Sequence, residues 1–194
     1  MMTKQPASVV QHRPWSEIED HGLLQRIAGA NKQAFTELAR RHMPVMLGFA
    51  RRYVSSSDAE DVVQESLTRV WIKAGQWQDR GVSPRSWIMR IVYNLCMDKL
   101  RSERWDTEPA TDELKCSAAT PERAYEHDCR QHQLTRALQA LPERQRSAIF
   151  LTVYHTMSNR ETAAVLKVSI EALESLLSRG RKRLKEIVKQ QGES

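Results

Sequence analysis

Between Trp105 and Thr120 the helical rhythm of this 194-residue chain stops. The stretch carries Asp106, Glu108, Pro109, Asp112 and Glu113, with Lys115 as its only base, and its apolar residues show no period. An acidic, proline-containing segment of that kind signals a linker. On both sides of it, apolar residues recur at the three- and four-residue intervals of helices that bury one face. Leu23 to Ile27, Phe35 to Phe49, Val63 to Ala74 and Trp87 to Leu100 form four such stripes before the break. After it, the period resumes at Pro121 and runs to about Gln190 as four shorter helices. Each block has to close a core of its own. The expected fold is therefore all-α, with two small helical domains joined by a flexible acidic linker. The boundaries are an N-terminal arm over 1–19, a helical bundle over 20–104, the linker over 105–120, and a second domain over 121–190.

Local punctuation supports the helices. Ser57-Asp58-Ala59-Glu60 and Ser158-Asn159-Arg160-Glu161 have the spacing of capping boxes, in which Ser and Glu satisfy orphan backbone donors reciprocally. Ser83-Pro84, Thr120-Pro121 and Leu141-Pro142 put proline in a first helical turn, where its missing N–H costs nothing. Composition excludes several classes. No window reaches the roughly 20 apolar residues of a membrane span. The segment from Met1 to Trp15 lacks the apolar core of a signal peptide. Three scattered cysteines, Cys96, Cys116 and Cys129, fit a reducing cytoplasm better than a disulfide framework. Thirty Lys and Arg against 24 Asp and Glu leave a formal charge of +6, which favours a polyanionic partner.

The sharpest motif lies near the C-terminus. A capped two-turn helix, Asn159 to Leu166, is followed by Lys167-Val168-Ser169 and a longer helix from Ile170. Ala163 and Ala164 are small where the two helices must cross, and Leu166, Val168, Leu173 and Leu177 supply a shared core. This is the layout of a helix-turn-helix, whose second helix enters the DNA major groove. Ser169, Glu171 and Ala172 fall in its first turn, and Ser175 and Arg179 continue that face. Arg181, Lys182, Arg183 and Lys185 are placed to meet phosphates. An ordinary helical hairpin with a basic tail would look similar.

Two features mark the first block. Acids crowd the start of its third helix, and the macrodipole alone accounts for Asp58 and Glu60. Asp61, Gln64, Glu65 and Thr68 form a polar stripe opposite the apolar one, suited to docking a protein. The next helix shows Arg90, Asn94 and Arg101 opposite its apolar face. The loop Trp77-Gln78-Asp79-Arg80-Gly81-Val82-Ser83 precedes it. Cations interleaved with aromatics suit single-stranded nucleic acid, because bases stack while cations hold phosphates. Trp71 and Trp87 fit a core, whereas Trp77 fits either role. No nucleophile–base pair or glycine-rich phosphate loop suggests an enzyme. His127, Cys129 and His132, with Cys116 upstream, could be imagined as a metal sensor but lack paired-cysteine spacing, so an inert role is favoured.

Taken together, these segments resemble the sigma-70 family, and its extracytoplasmic-function group in particular. Asp58 to Trp71 looks like region 2.2, Pro84 to Arg101 like regions 2.3 to 2.4, and Leu141 to Phe150 with the helix-turn-helix like region 4. The resemblance implies an RNA polymerase sigma factor that works with core polymerase, promoter DNA and an anti-sigma factor. It implies neither a cofactor nor a small-molecule substrate, and no membrane insertion. Asp58, Asp61, Gln64, Glu65 and Thr68 would dock onto the β′ clamp helices, and region 4 onto the β flap. Trp77, Asp79, Arg80, Ser83, Arg90, Asn94 and Arg101 would read the −10 element and trap a flipped base. Ser169, Glu171, Ala172, Ser175, Arg179, Arg181 and Arg183 would serve the −35 element. The chain departs from the family at Glu174, where Lys or Arg is common, and at Leu176, where Arg is frequent. The competing reading is a helix-turn-helix regulator that never joins polymerase, which would leave the region 2-like segment without a role.

Overall fold

The computed structural model describes residues 14–78, 81–106 and 136–192, and no strand occurs among them. The first unit is built from α1 (Asp20–Ala28), α2 (Lys32–Ala50), α3 (Ser56–Lys73) and α4 (Pro84–Asp106), with a short 3-10 turn at Ala74–Gln76 after α3. The second contains helical residues 136–139, then α5 (Glu143–Ile149), a π-helical turn at Phe150–Tyr154, α6 (Asn159–Leu166) and α7 (Ile170–Gly192). No described helix is long and apolar enough to cross a membrane. Cys116, His127, Cys129 and His132, weighed as a metal sensor and read as inert, lie outside the described residues, as does Thr120-Pro121.

The caps explain where the helices begin, and two differ from expectation. Ser55, not Ser57, caps α3: its hydroxyl accepts from the Asp58 backbone N–H at 3.2 Å. Moving the cap two residues back puts Asp58 at the third helical position, the box position that the sequence spacing gave to Glu60. Pro142 occupies the N-cap of α5 rather than its first helical position, with φ −51 and ψ 137. Ser158 and Glu161 form the full reciprocal capping box of α6. Asn31 caps α2 by accepting from Ala34 at 3.0 Å.

The first unit is pinned at its start by charge. Arg41 on α2 donates to Asp20 at 2.9 Å and to the carbonyls of Trp15, Ser16 and Ile18, so the Trp15–Glu17 turn lies on α2. Buried His42 meets the other Asp20 oxygen at 2.6 Å. Burial pushes the Asp20 carboxyl up, but the hydrogen bonds and charges of His42 and Arg41 outweigh it and hold it below its ordinary range.

The apolar stripes do what their period requires. Leu23, Leu24, Met46, Phe49, Ile88 and Met89 are fully or almost fully buried, each removing a large apolar surface from water. The buried residues form one contiguous cluster that runs from α1 through α4 and on to Leu173 and Leu177 of α7. The two units are therefore in contact: α4 packs along α6.

Candidate docking face and nucleic-acid interfaces

The polar stripe on α3 is displayed as its spacing requires. Asp61, Gln64, Glu65 and Thr68 are all exposed. Arg69 donates to Glu65 at 2.8 Å, and the Thr68 hydroxyl donates back to the Gln64 carbonyl at 3.0 Å, so this face is ordered by its own helix. Asp58 stands apart from it. Its carboxylate is paired with Lys99 of α4 and accepts from the Ser55 hydroxyl. The hydrogen bonds from Lys99 and Ser55 hold it below the usual carboxylate range. Asp58 ties α3 to α4, a partnership that charge counting along the sequence could not find.

Along α4, Arg90 and Asn94 are half-buried and Arg101 is exposed, 3.3 Å from Asp98. Intervals of four and seven place these three on one side of the helix. Trp77 faces inward: its ring stands edge-on to His21 at a centroid distance of 4.8 Å, and its indole N–H is buried without a hydrogen-bond partner. Trp71 stacks edge-on against Phe35, and Trp71 and Trp87 both pack against the core. Asp79 and Arg80 lie outside the described residues. Gly81 has φ +76, a left-handed conformation that suits glycine.

The helix-turn-helix forms over the expected residues. Ala163, Leu166, Leu173 and Leu177 are buried between α6 and α7, with Val168 partly so. The sharp turn is carried by Lys167, a non-glycine residue at φ 55, ψ 48, whose N–H returns to the Ala163 carbonyl. Gly180 lets α7 approach α5 closely: a Cβ there would meet Ile149 Cδ1 at 3.0 Å and Gln145 Cβ at 3.3 Å.

The face of α7 is exposed over Ser169, Glu171, Ala172, Ser175, Arg179 and Arg183. Ser169 is the cap of α7, accepting from Ala172 at 3.1 Å, and its hydroxyl also holds the Glu171 carboxyl below its ordinary value. Arg179 donates to the Ser175 carbonyl at 3.1 Å. At 100° per residue Arg181 lies roughly 120° around α7 from the line of Glu171, Ser175 and Arg179. It is exposed there, on the flank that it shares with Glu174. Glu174 thus stands beside, rather than on, that line. Leu176 packs against the core. Ile170, the first residue of α7, is an exposed apolar side chain that sequence reasoning did not single out.

Between the units the contacts are specific. The Ser83 hydroxyl donates to Glu161 Oε1 at 2.7 Å, while Glu161 Oε2 accepts from the Ser158 backbone and hydroxyl. Arg85 donates to the His155 carbonyl. Ser147 donates to the Glu143 carbonyl at 2.9 Å, so the Tyr53 phenol is the donor in its 2.8 Å bond to Ser147. Arg52 lies over the rings of Phe150 and Tyr154, and Arg146 lies 4.9 Å from the Tyr53 ring centroid.

Comparison with known proteins agrees in both units. The family model described as Sigma-70 region 2 matches residues 38–106, and that described as Sigma-70, region 4 matches residues 131–184. The ECF RNA polymerase sigma factor SigM of Mycobacterium tuberculosis is 32% identical over 173 residues, covering 87% of this chain and 84% of its own. The RNA polymerase sigma factor NccH of Alcaligenes xylosoxydans xylosoxydans is 30% identical over 172 residues, covering 85% of this chain and 92% of its own. Among solved structures, CnrH in complex with the cytosolic domain of CnrY matches with a TM-score of 0.68 and 27% identity, over 88% of this chain and 97% of that one. The sigma factor RpoE in complex with the anti-sigma factor NepR from Bartonella quintana matches at 0.64 and 27%, over 80% and 96%.

Proposed function

The chain belongs to the extracytoplasmic-function sigma factors of RNA polymerase, and from that premise we propose how its surfaces divide the work of transcription initiation. The first unit, with boundaries near 20 and 104, docks onto core polymerase and reads the −10 element. The second, over 121–190, docks on the β flap and reads the −35 element. The observation that carries the reading is the exposed stripe of Asp61, Gln64, Glu65 and Thr68 on α3 of a chain whose α6 and α7 form a helix-turn-helix. A regulator acting alone has no use for that stripe.

The chemistry follows from the side chains. Acidic groups on α3 meet a basic helical surface on the β′ clamp, which fixes register and speeds association. Arg90, Asn94 and Arg101 on α4, with Ser83 and the loop before it, hold the strand that separates at −10. Binding unstacked bases offsets the few kcal/mol of unpairing, so melting needs no hydrolysed nucleotide. On α7, Glu171, Ser175 and Arg179 face base edges while Arg183 reaches phosphate. An anti-sigma factor controls the protein, in line with the complexes of CnrH with the cytosolic domain of CnrY and of RpoE with the anti-sigma factor NepR.

Purified protein mixed with sigma-free core polymerase is expected to form open complexes at the promoter upstream of its own gene. Asp61→Lys or Glu65→Lys is expected to weaken core binding about tenfold or more, the scale of a reversed interfacial charge. DNA binding that needs no polymerase, with no promoter opening when polymerase is added, would overturn the assignment in favour of a conventional regulator.

A further inference from the structure

The second helix of the helix-turn-helix divides its charge along its length. From its cap Ser169 to Ser178, α7 carries Glu171 and Glu174 and no cation. From Arg179 to Lys189 it carries six Lys and Arg against Glu186 alone. The N-terminal half, which in this motif meets base edges, is therefore anionic, and the half behind it supplies phosphate contacts. A carboxylate brought against a polyanion is repelled and loses its water, unless a donor in the groove bonds to it. Glu171 has local support. It lies in the first turn, where the macrodipole favours an acid, and the Ser169 hydroxyl donates to its carboxylate. Glu174 has neither. It is exposed beyond the first turn, and among the described residues its side chain makes no hydrogen bond or ion pair.

The packing of α7 brings Glu174 to the edge of the groove-facing surface. Leu173 and Leu177 are buried, and Leu176, Leu184 and Ile187 pack against the same core. The opposite side of the helix is centred on Glu171, Ser175, Ser178 and Lys182, all exposed. At about 100° per residue, Glu174 and Arg179 flank that centre on either side, each roughly 70° from it. Glu174 thus borders the outward face on one side as Arg179 does on the other. Arg181 shares the flank of Glu174 but lies about 10 Å further along the axis, at about 1.5 Å per residue, too far to pair with it.

We propose that Glu174 is a specificity-determining residue of the −35 contact and that the base it selects is a cytosine. The major-groove edges of the four bases decide between them. Guanine shows only the acceptors N7 and O6, and thymine shows O4 and a methyl group, so both turn a carboxylate away. Adenine sets its N6 donor beside the N7 acceptor. Cytosine alone offers an amino donor, N4, with no acceptor beside it on the same base. One N4–H donates to a Glu174 oxygen, while the cations from Arg179 onward hold phosphates and offset the repulsion. Lys or Arg, common at this position in the family, suits guanine instead. The departure at Glu174 therefore gives this chain a −35 preference of its own. The inference deepens the sigma-factor reading and rests on it.

The test uses the full chain assembled with core polymerase, as the native protein, Glu174→Ala and Glu174→Arg. Each holoenzyme selects open complexes from a library of the promoter upstream of its own gene, randomised across the −35 element. The native protein is expected to enrich cytosine over guanine at one position by about tenfold or more, the scale of one good base contact. Glu174→Ala is expected to lose the preference at that position and keep it at the others. Glu174→Arg is expected to invert it, enriching guanine at the same position, a gain that a misfolded variant cannot show. Circular dichroism and melting temperature are expected to be unchanged, since the side chain is exposed. A native preference that survives in Glu174→Ala, or a −35 selection without any cytosine position that responds to residue 174, overturns the inference and leaves the sigma reading standing. Absence of open complexes with every library member overturns the sigma reading, and the inference with it.

Discussion

Asp58 and Asp61 lie three residues apart in one acidic run, yet the structure gives them different work. Asp58 spends its charge on Lys99 and Ser55 inside the first unit, while Asp61 stands exposed. Cys96 shows the same dependence on surroundings. It lies wholly buried in α4, and burial pushes its thiol up to about 12. Since the thiolate is the reactive form, a pKa four units above the solution leaves roughly one part in 10,000 reactive at pH 8. The Cys96 peptide is therefore expected to stay unlabelled by iodoacetamide in the native protein and to label fully in denaturant. Native labelling at the rate of a free thiol would show that α4 opens far more often than its packing implies.

At the scale of the element, the helix-turn-helix is fixed by a cap, a tight turn and one close approach. Ser158 and Glu161 satisfy the start of α6, and Gly180 brings α7 against α5. The turn itself is strained, because Lys167 holds a left-handed conformation that costs a side-chain-bearing residue about 1 kcal/mol. Lys167→Gly is expected to stabilise the second unit by up to ~1 kcal/mol despite the greater freedom glycine has when unfolded. Lys167→Val, with a branched Cβ, is expected to destabilise it by more than that, and urea titration followed by circular dichroism reads both. An unchanged midpoint for the valine variant would mean that the turn does not need its left-handed residue. Sequence periodicity placed this motif to the residue, since caps and apolar spacing act over one or two turns. It did not find Lys167, whose conformation is imposed by the crossing of α6 and α7 rather than by its own preference.

For the whole molecule, the contact between the two units carries a pH dependence. Burial pushes the His155 imidazole pKa down, and the charges of Arg85 on α4 and Arg52 after α2 push it the same way. With the units apart the ring would return toward its ordinary value of 6.5. The chain with its units in contact then binds fewer protons, so the contact is fully favoured above about pH 6.5 and weakens as the pH falls below it. Glu161 acts in the same direction further down: burial pushes it up, but Ser83, Ser158 and Arg85 outweigh this and hold it below 4.5. The radius of gyration is expected to rise as the pH falls below about 6.5, and His155→Gln is expected to flatten that rise. A rise of equal size in the variant would assign the effect to another group.

The sequence alone determined that the chain is helical, that its helices fall in two sets on either side of an acidic break, and that a helix-turn-helix follows the second set's start. Those features come from spacing, capping and turn chemistry, which act between residues a few positions apart. It could not determine that Asp58 would be taken by Lys99, that Trp77 would turn toward His21, or that Arg181 and Glu174 would share a flank away from the reading line. Nor could it show the two sets joined through Ser83 and Glu161, residues 78 positions apart. Such contacts depend on how completed helices pack, and the same apolar stripes and caps are compatible with the units held apart or together. Tertiary structure alone decided which of the legible surfaces face solvent and which face each other.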